Sequence, residues 1–375
     1  MMLFPYTYVP HKMDRMQRFV NFIFYQVWCR ARKTKKYNLD LFDANPPLKE
    51  VMTAFAYSHS KAGDRFSAQV QAIYESFSEL SHKEVAQFKR WYQGNNDLEK
   101  VCAKSSSAHL ARYTDISIIY SDISEQLAAF FKNLYSPSLL DLAALRAKIG
   151  DIDDHYHTFV KVNKSGKCPF CGINDLMIEY NSRREAYDHY LPKALYPFNS
   201  INFRNLVPAC YHCNSSYKTS KNPAYTPKDP MGGTQRRAVF FPYRSATDAI
   251  ELHVTLHHSN IVNLQPADIS LQFGPDLIAE EIETWKDVYG IEERFKAKFC
   301  GENGGKEWLV QMLDEWKEDG RDPAAFVKTL ARHAKRRPYA ECNFLKKPFL
   351  DAFLQLGPIP ERGATLRKQC DTTAG

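Results

Sequence analysis

The sequence contains no apolar run long enough to cross a bilayer. Its most apolar early stretch, Phe19 to Cys29, is short and carries Asn21 and Gln26, whereas a spanning helix needs about 20 apolar residues. The N-terminus lacks the basic, apolar, small-residue succession of a secretory leader, so the expected location is the cytoplasm. No Gly-rich loop ending in Lys-Ser or Lys-Thr is present. The chain therefore carries no P-loop ATP site, and any energy input would come from another chain. Tandem repeats and low-complexity tracts are absent. Cysteines number nine, and five of them (Cys29, Cys102, Cys300, Cys342 and Cys370) stand singly. Scattered single thiols fit a reducing compartment, where they behave as small core residues, and not a disulfide framework.

What is present is enough for folded cores. The chain has 375 residues, 44% hydrophobic and 13% aromatic, which allows two or three domains and argues against disorder. Its formal charge is +7, with a pI near 8.8. Charge is concentrated centrally: residues 161–224 hold nine Lys and Arg against four acids. Such a surface favours an anionic partner.

Residues 1–10 read as extended. From His11 to Arg32, apolar residues Met16, Phe19, Val20, Ile23, Phe24, Val27 and Trp28 recur at three- and four-residue steps, the mark of an amphipathic helix. Its basic tail, Arg30 to Lys36, reads as a solvated helix end with cations at its C-terminus, and a phosphate contact is the minority reading. Further helices are expected over Leu48–Ser58, Asp64–Leu80, Ser81–Tyr92, Ile116–Tyr135 and Ser138–Ile149. Ser81 and Glu84 form a capping-box sequence, and Gln93 to Asp97 reads as a loop. Asp151, Asp153, Asp154, His155 and His157 read as an acidic linker. Without the loop Gly and terminal Glu at the required spacing, this is no EF-hand. After residue 224, Tyr225 to Thr234 should be loop. Short strands are expected at Val239–Pro242 and Leu252–Leu256, and helices over 276–300, Glu307–Glu318, Pro323–Arg336 and Phe344–Leu356. The resulting expectation is an α+β, mainly helical chain. A helical region spans 1–150, a small core 151–235, a mixed then mainly helical region 236–360, and a flexible tail 361–375.

The small core carries the chemistry. It reads Cys168-Pro-Phe-Cys171, then Tyr187-Asp188-His189-Tyr190-Leu191-Pro192, then Asn205-Leu-Val-Pro-Ala-Cys210-Tyr-His-Cys213-Asn214. Two Cys-x-x-Cys pairs suit a closed tetrahedral zinc site, with Zn–S of about 2.3 Å. Such a site has no open position, so this zinc would be structural, and chemistry falls to the residues it ties together.

In the order of these features the stretch 165–224 resembles the HNH endonucleases, whose core is a ββα-metal fold. The resemblance implies hydrolysis of phosphodiester bonds, in DNA before RNA, with Mg²⁺ or Mn²⁺ as catalytic cation. Asp188 and Asn214 offer hard oxygens for that cation, and His189 offers a neutral imidazole as general base. Asn205 matches the middle Asn, whose amide holds the loop carrying the His. Adjacent Asp188 and His189 point to opposite faces of a regular strand, so the strand must end, twist or bulge there, and Pro192 fits an early stop. Asn214 should open a short helix to Lys218.

Other residues weigh less. Lys218 and Lys221 read equally as solvated lysines or phosphate contacts. Arg183 and Arg184 belong to a hairpin turn, Tyr190 and Tyr217 read as packing, and His212 is superfluous beside four cysteines. The layout is similar to HNH effectors of anti-phage systems, which implies a partner ATPase or other defence subunit. One site per chain favours nicking unless the protein forms a homodimer. The rival readings are a zinc-stabilised nucleic-acid-binding protein that does not cut, and a scaffold whose zinc knuckle only folds.

Overall fold

The computed structural model describes residues 4–357 apart from 35, 58–59, 165, 245–249, 259 and 261–262. The expected tail at 361–375 and Cys370 lie outside the described residues. The chain is mainly helical, with four short strands among the described residues.

Sequence periodicity explains the first helical segment. Asp14–Phe22 is α-helical, Ile23–Val27 widens into π-helical turns, and Trp28–Arg30 and Ala31–Thr34 continue it. All seven of its periodic apolar residues are buried. They meet the helices Lys61–Ser78 and Ser121–Leu134. Trp28 anchors this packing: its ring lies 5.2 Å from that of Phe130, and its Nε1–H donates to the Val70 carbonyl at 2.9 Å. The helix His82–Asn96 begins with the expected Ser81/Glu84 capping box.

Of the local expectations that fail, three lie before residue 165 and have identifiable reasons, and the expected helix Ser138–Ile149 is also split, into Pro137–Leu140 and Ala143–Ile149. The stretch Gln93 to Asn96 is the last turn of a helix, not a loop. Its Gly94 backbone sits so near the His109 carbonyl that a Cβ would approach it to 2.3 Å, and its Asn95 side chain is fully buried. Residues expected as an acidic linker form the helix Ile152–Asn163, capped by Asp151. The expected helix over 116–135 is split into Tyr113–Ser117 and Ser121–Leu134. Ile118 and Ile119, between the two helices, are 83% and 64% exposed.

Two antiparallel hairpins complete the architecture. In the first, β1 (Tyr187–His189) pairs with β2 (Leu206–Pro208), with Asp188 opposite Val207. A π-helical stretch, His212–Lys218, follows. In the second, β3 (Glu251–Leu256) pairs with β4 (Ile269–Gly274). The expected strand at 239–242 is absent. The 276–300 helix breaks at Gly290, whose φ of +60° separates Ala279–Tyr289 from Ile291–Cys300. A side chain at Gly290 would strike the Tyr217 ring at 2.4 Å, so the break lets the helices approach the 212–218 stretch. The helices Glu307–Asp319, Pro323–Arg336 and Asn343–Gln355 follow, close to expectation.

Candidate functional site

The four paired cysteines converge. Their Sγ atoms all lie within 4.8 Å of one another, and every one is buried. Cys171 and Cys210 sulfurs are 4.0 Å apart, twice a disulfide length and close to the edge of a tetrahedron with Zn–S of about 2.3 Å. Backbone N–H groups of Cys210 and Cys213 point at the Cys168 and Cys210 sulfurs, at 3.5 and 3.4 Å. This donor set fits a zinc ion. His212, between the second pair, is exposed and stands apart.

The C-terminal helices brace the cluster. Arg294 donates to the Cys213 sulfur at 3.1 Å and to Asn174 Oδ1 at 2.9 Å. Four thiolates around Zn²⁺ carry a net charge of −2, and the guanidinium offsets half of it. The Trp285 indole donates to the Phe170 carbonyl at 2.6 Å, and Tyr289 stacks on the Phe170 ring. Sequence spacing gives no hint of Arg294, which lies 81 residues from its sulfur partner.

The strand β1 presents Asp188 and His189. Asp188 is 2% exposed. Its Oδ1 accepts from Lys218 Nζ at 2.8 Å, while its Oδ2 is buried without a partner among the described residues. Burial pushes its carboxyl above the usual range, and the Lys218 ammonium pulls it partly back. Lys218 is itself buried and also donates to the His189 carbonyl at 2.8 Å. It is neither solvated nor a surface phosphate contact. Breaking such a pair by removing one partner costs about 3–5 kcal/mol.

His189 is partly exposed. Its Nε2 lies 3.0 Å from the Ser200 carbonyl. A carbonyl only accepts, so Nε2 carries the proton and Nδ1 keeps its lone pair. The Tyr135 ring stands edge-on to the imidazole at 4.9 Å. Burial, then the Lys193 and Lys218 ammoniums, push the imidazolium down to about 3 against the Ser200 carbonyl. His189 is therefore neutral at physiological pH.

Asn205 is fully buried and brackets the turn that leaves β1. Its Oδ1 accepts from the Leu191 N–H at 2.7 Å, and its Nδ2 donates to the Leu191 and Asn199 carbonyls at 3.0 and 3.3 Å. The same loop is fastened to the N-terminal helices by Asn95, which donates to the Pro197 carbonyl at 2.9 Å, and by Asn199, which donates back to the Asn95 carbonyl at 3.0 Å. Asn214 lies near the start of the 212–218 stretch, one turn before Lys218, and is partly exposed. Its side chain makes no hydrogen bond among the described residues. A carboxylate oxygen and a side-chain amide oxygen are the kinds of donor a hard divalent cation takes. Of the other basic residues, Lys221 donates to the Asp287 carbonyl at 2.8 Å and Arg184 pairs with Asp153.

Two curated proteins share part of this sequence. Over 66 residues the chain is 32% identical to Septu protein PtuB of Bacillus thuringiensis, covering 17% of this chain and 24% of the relative. Over 63 residues it is 40% identical to Protein ea31 of Escherichia phage lambda, covering 17% of this chain and 19% of the relative. The chain thus spans about a quarter or less of the length of either. No family model matches, and no solved structure matches. Among the described residues, no helix is long and apolar enough to cross a membrane.

Proposed function

We propose that the chain is an HNH-type endonuclease that hydrolyses phosphodiester bonds, with DNA as its first substrate. The observation that carries this reading is the state of His189. Its ring is neutral, and its tautomer is set by the Ser200 carbonyl, which leaves the lone pair on Nδ1. An imidazole so held takes a proton from an attacking water. Asn205 keeps the 189–205 loop closed around it, acting as a positioning residue. A Mg²⁺ or Mn²⁺ ion, held through Asp188 Oδ2 and Asn214, would stabilise charge on the phosphate and on the leaving oxygen. Zinc in the cysteine cluster would join the Cys168–Cys171 turn to the start of the 212–218 stretch, and that stretch with the β1–β2 hairpin supports a ββα-metal core. The partial likeness to Septu protein PtuB supports a role in anti-phage defence beside another subunit, with an ATPase as the first partner to test.

The test is plasmid cleavage by zinc-loaded protein in Mg²⁺ or Mn²⁺, compared with His189→Ala. Removing a general base lowers the rate by about 10²–10⁴-fold. Undiminished cutting by the variant refutes the assignment. If wild-type protein binds DNA but cuts neither DNA nor RNA with either cation, the zinc-stabilised binder is the better reading.

A further inference from the structure

The described ion pairs are mostly exposed or partly exposed, but the pair Lys218–Asp188 is sealed, with side chains 1% and 3% exposed. A lysine in the last turn of a helix usually reaches water along its own stem. Burying its ammonium is tolerated only when charge and hydrogen-bonding capacity are both met. Here the partners are the carboxylate of Asp188 and the backbone carbonyl of His189, both at 2.8 Å. A cation of this chain is thus bonded to both neighbouring residues of the proposed site. It occupies Oδ1 of the same carboxylate whose Oδ2 has no partner.

We propose that Lys218 is the resident counter-cation of the site and that it holds down the site's affinity for divalent cations. This rests on the reading of Asp188 as a cation ligand. A divalent ion arriving at Oδ2 shares one carboxylate with a positive charge already seated on Oδ1, and like charges at that range repel strongly where water is excluded. The second bond, to the His189 carbonyl, keeps the ammonium from swinging aside without cost. Lys218 is accordingly a positioning residue: it keeps the Asp188 carboxyl oriented while no divalent ion is bound.

The experiment is a Mn²⁺ titration of the zinc-loaded full chain, reading free Mn²⁺ by electron paramagnetic resonance. It needs no turnover. Lys218→Gln keeps a hydrogen-bond donor and removes the charge, and Lys218→Met removes both. Each is expected to bind Mn²⁺ at least tenfold more tightly than wild type. The gain should vanish in the double variant with Asp188→Asn. Lys218→Arg, which keeps the charge, should stay near wild type. Equal or weaker binding by variants that retain zinc overturns the proposal. Wild-type protein gives an answer independent of how the variants fold: with ¹⁵N-labelled lysine, saturating Mg²⁺ should shift the buried ammonium resonance, and an unmoved resonance overturns the proposal too. The nuclease reading is scored separately by His189-dependent cutting. If that cutting persists and the Lys218 effect is absent, only this inference fails.

Discussion

The helical region before residue 150 and the core around residues 164–224 are built by opposite means. Seven apolar residues between Met16 and Trp28 are buried at helical spacing, and rings of Phe24, Tyr92, Trp28 and Phe130 pack against one another. The core has two three-residue strands and one short helical stretch. It is held by four sulfurs, a buried ion pair and the amides of Asn205, Asn199 and Asn95. Area supports the first region, since buried apolar surface contributes about 25 cal/mol per Å² wherever it falls. Point chemistry adds to buried rings such as Tyr190, Tyr196 and Phe198 in the second, where the partners of Lys218 and Asn205 have no substitute nearby.

The largest effect should come from taking the metal away. Cys210→Ser combined with Cys213→Ser leaves two thiolates where four are needed, and structural zinc contributes on the order of 10 kcal/mol to small metal-held folds. Bound zinc should fall to near background by elemental analysis. Amide exchange should accelerate across 166–224 while the helices Asp14–Phe22 and Lys61–Ser78 stay protected. Unchanged exchange in the core would show that apolar packing alone sustains it, and the contrast between the regions would dissolve.

The reciprocal test strikes the apolar side. Phe24 is fully buried, with its ring stacked 3.9 Å from that of Tyr92. Phe24→Ala should cost about 3–5 kcal/mol of global stability in urea unfolding. Zinc content should not change, because no sulfur contact is touched. One ring also ties the regions together: Phe198, on the loop that follows β1, lies 5.7 Å from Phe24 and 5.3 Å from Phe131. Loss of zinc in Phe24→Ala at full folding would mean that this bridge is stiffer than the contrast allows.

Legibility in the sequence follows the same division. Helices were readable wherever a repeating apolar face has to meet a core, as in Met16 to Trp28. The cysteine pairs were readable because chelation demands that spacing. Long-range pairings were not, because no local rule links them. Lys218 meets Asp188 30 residues away, and Asn95 meets Pro197 102 residues away. The strand β4 escaped notice since most of its residues are only partly buried, which blurs the alternation on which strand reading depends.

The smallest effect probes the seam between the regions. His155, on the helix Ile152–Asn163, is 2% exposed. Its Nδ1 is hydrogen-bonded to the Tyr187 hydroxyl of β1, and its ring packs 4.5 Å from Phe203 and 5.2 Å from His11. Burial, then repulsion by His11, push it down to about 3, with the Val9 carbonyl opposing. An unfolded histidine titrates near 6.5. Between those values the unfolded chain binds more protons than the folded one, so stability is full above about pH 6.5 and is lost as pH falls toward 3. By pH 5.5 the loss from this one residue should reach about 1.4 kcal/mol relative to pH 7.5. His155→Gln, measured by urea midpoints on zinc-saturated protein over that range, should remove this share of the slope and leave the share of His11 and of the thiolates. An unaltered slope would mean that His155 is charged in the folded protein, and that the seam is wetter than its aromatic neighbours imply.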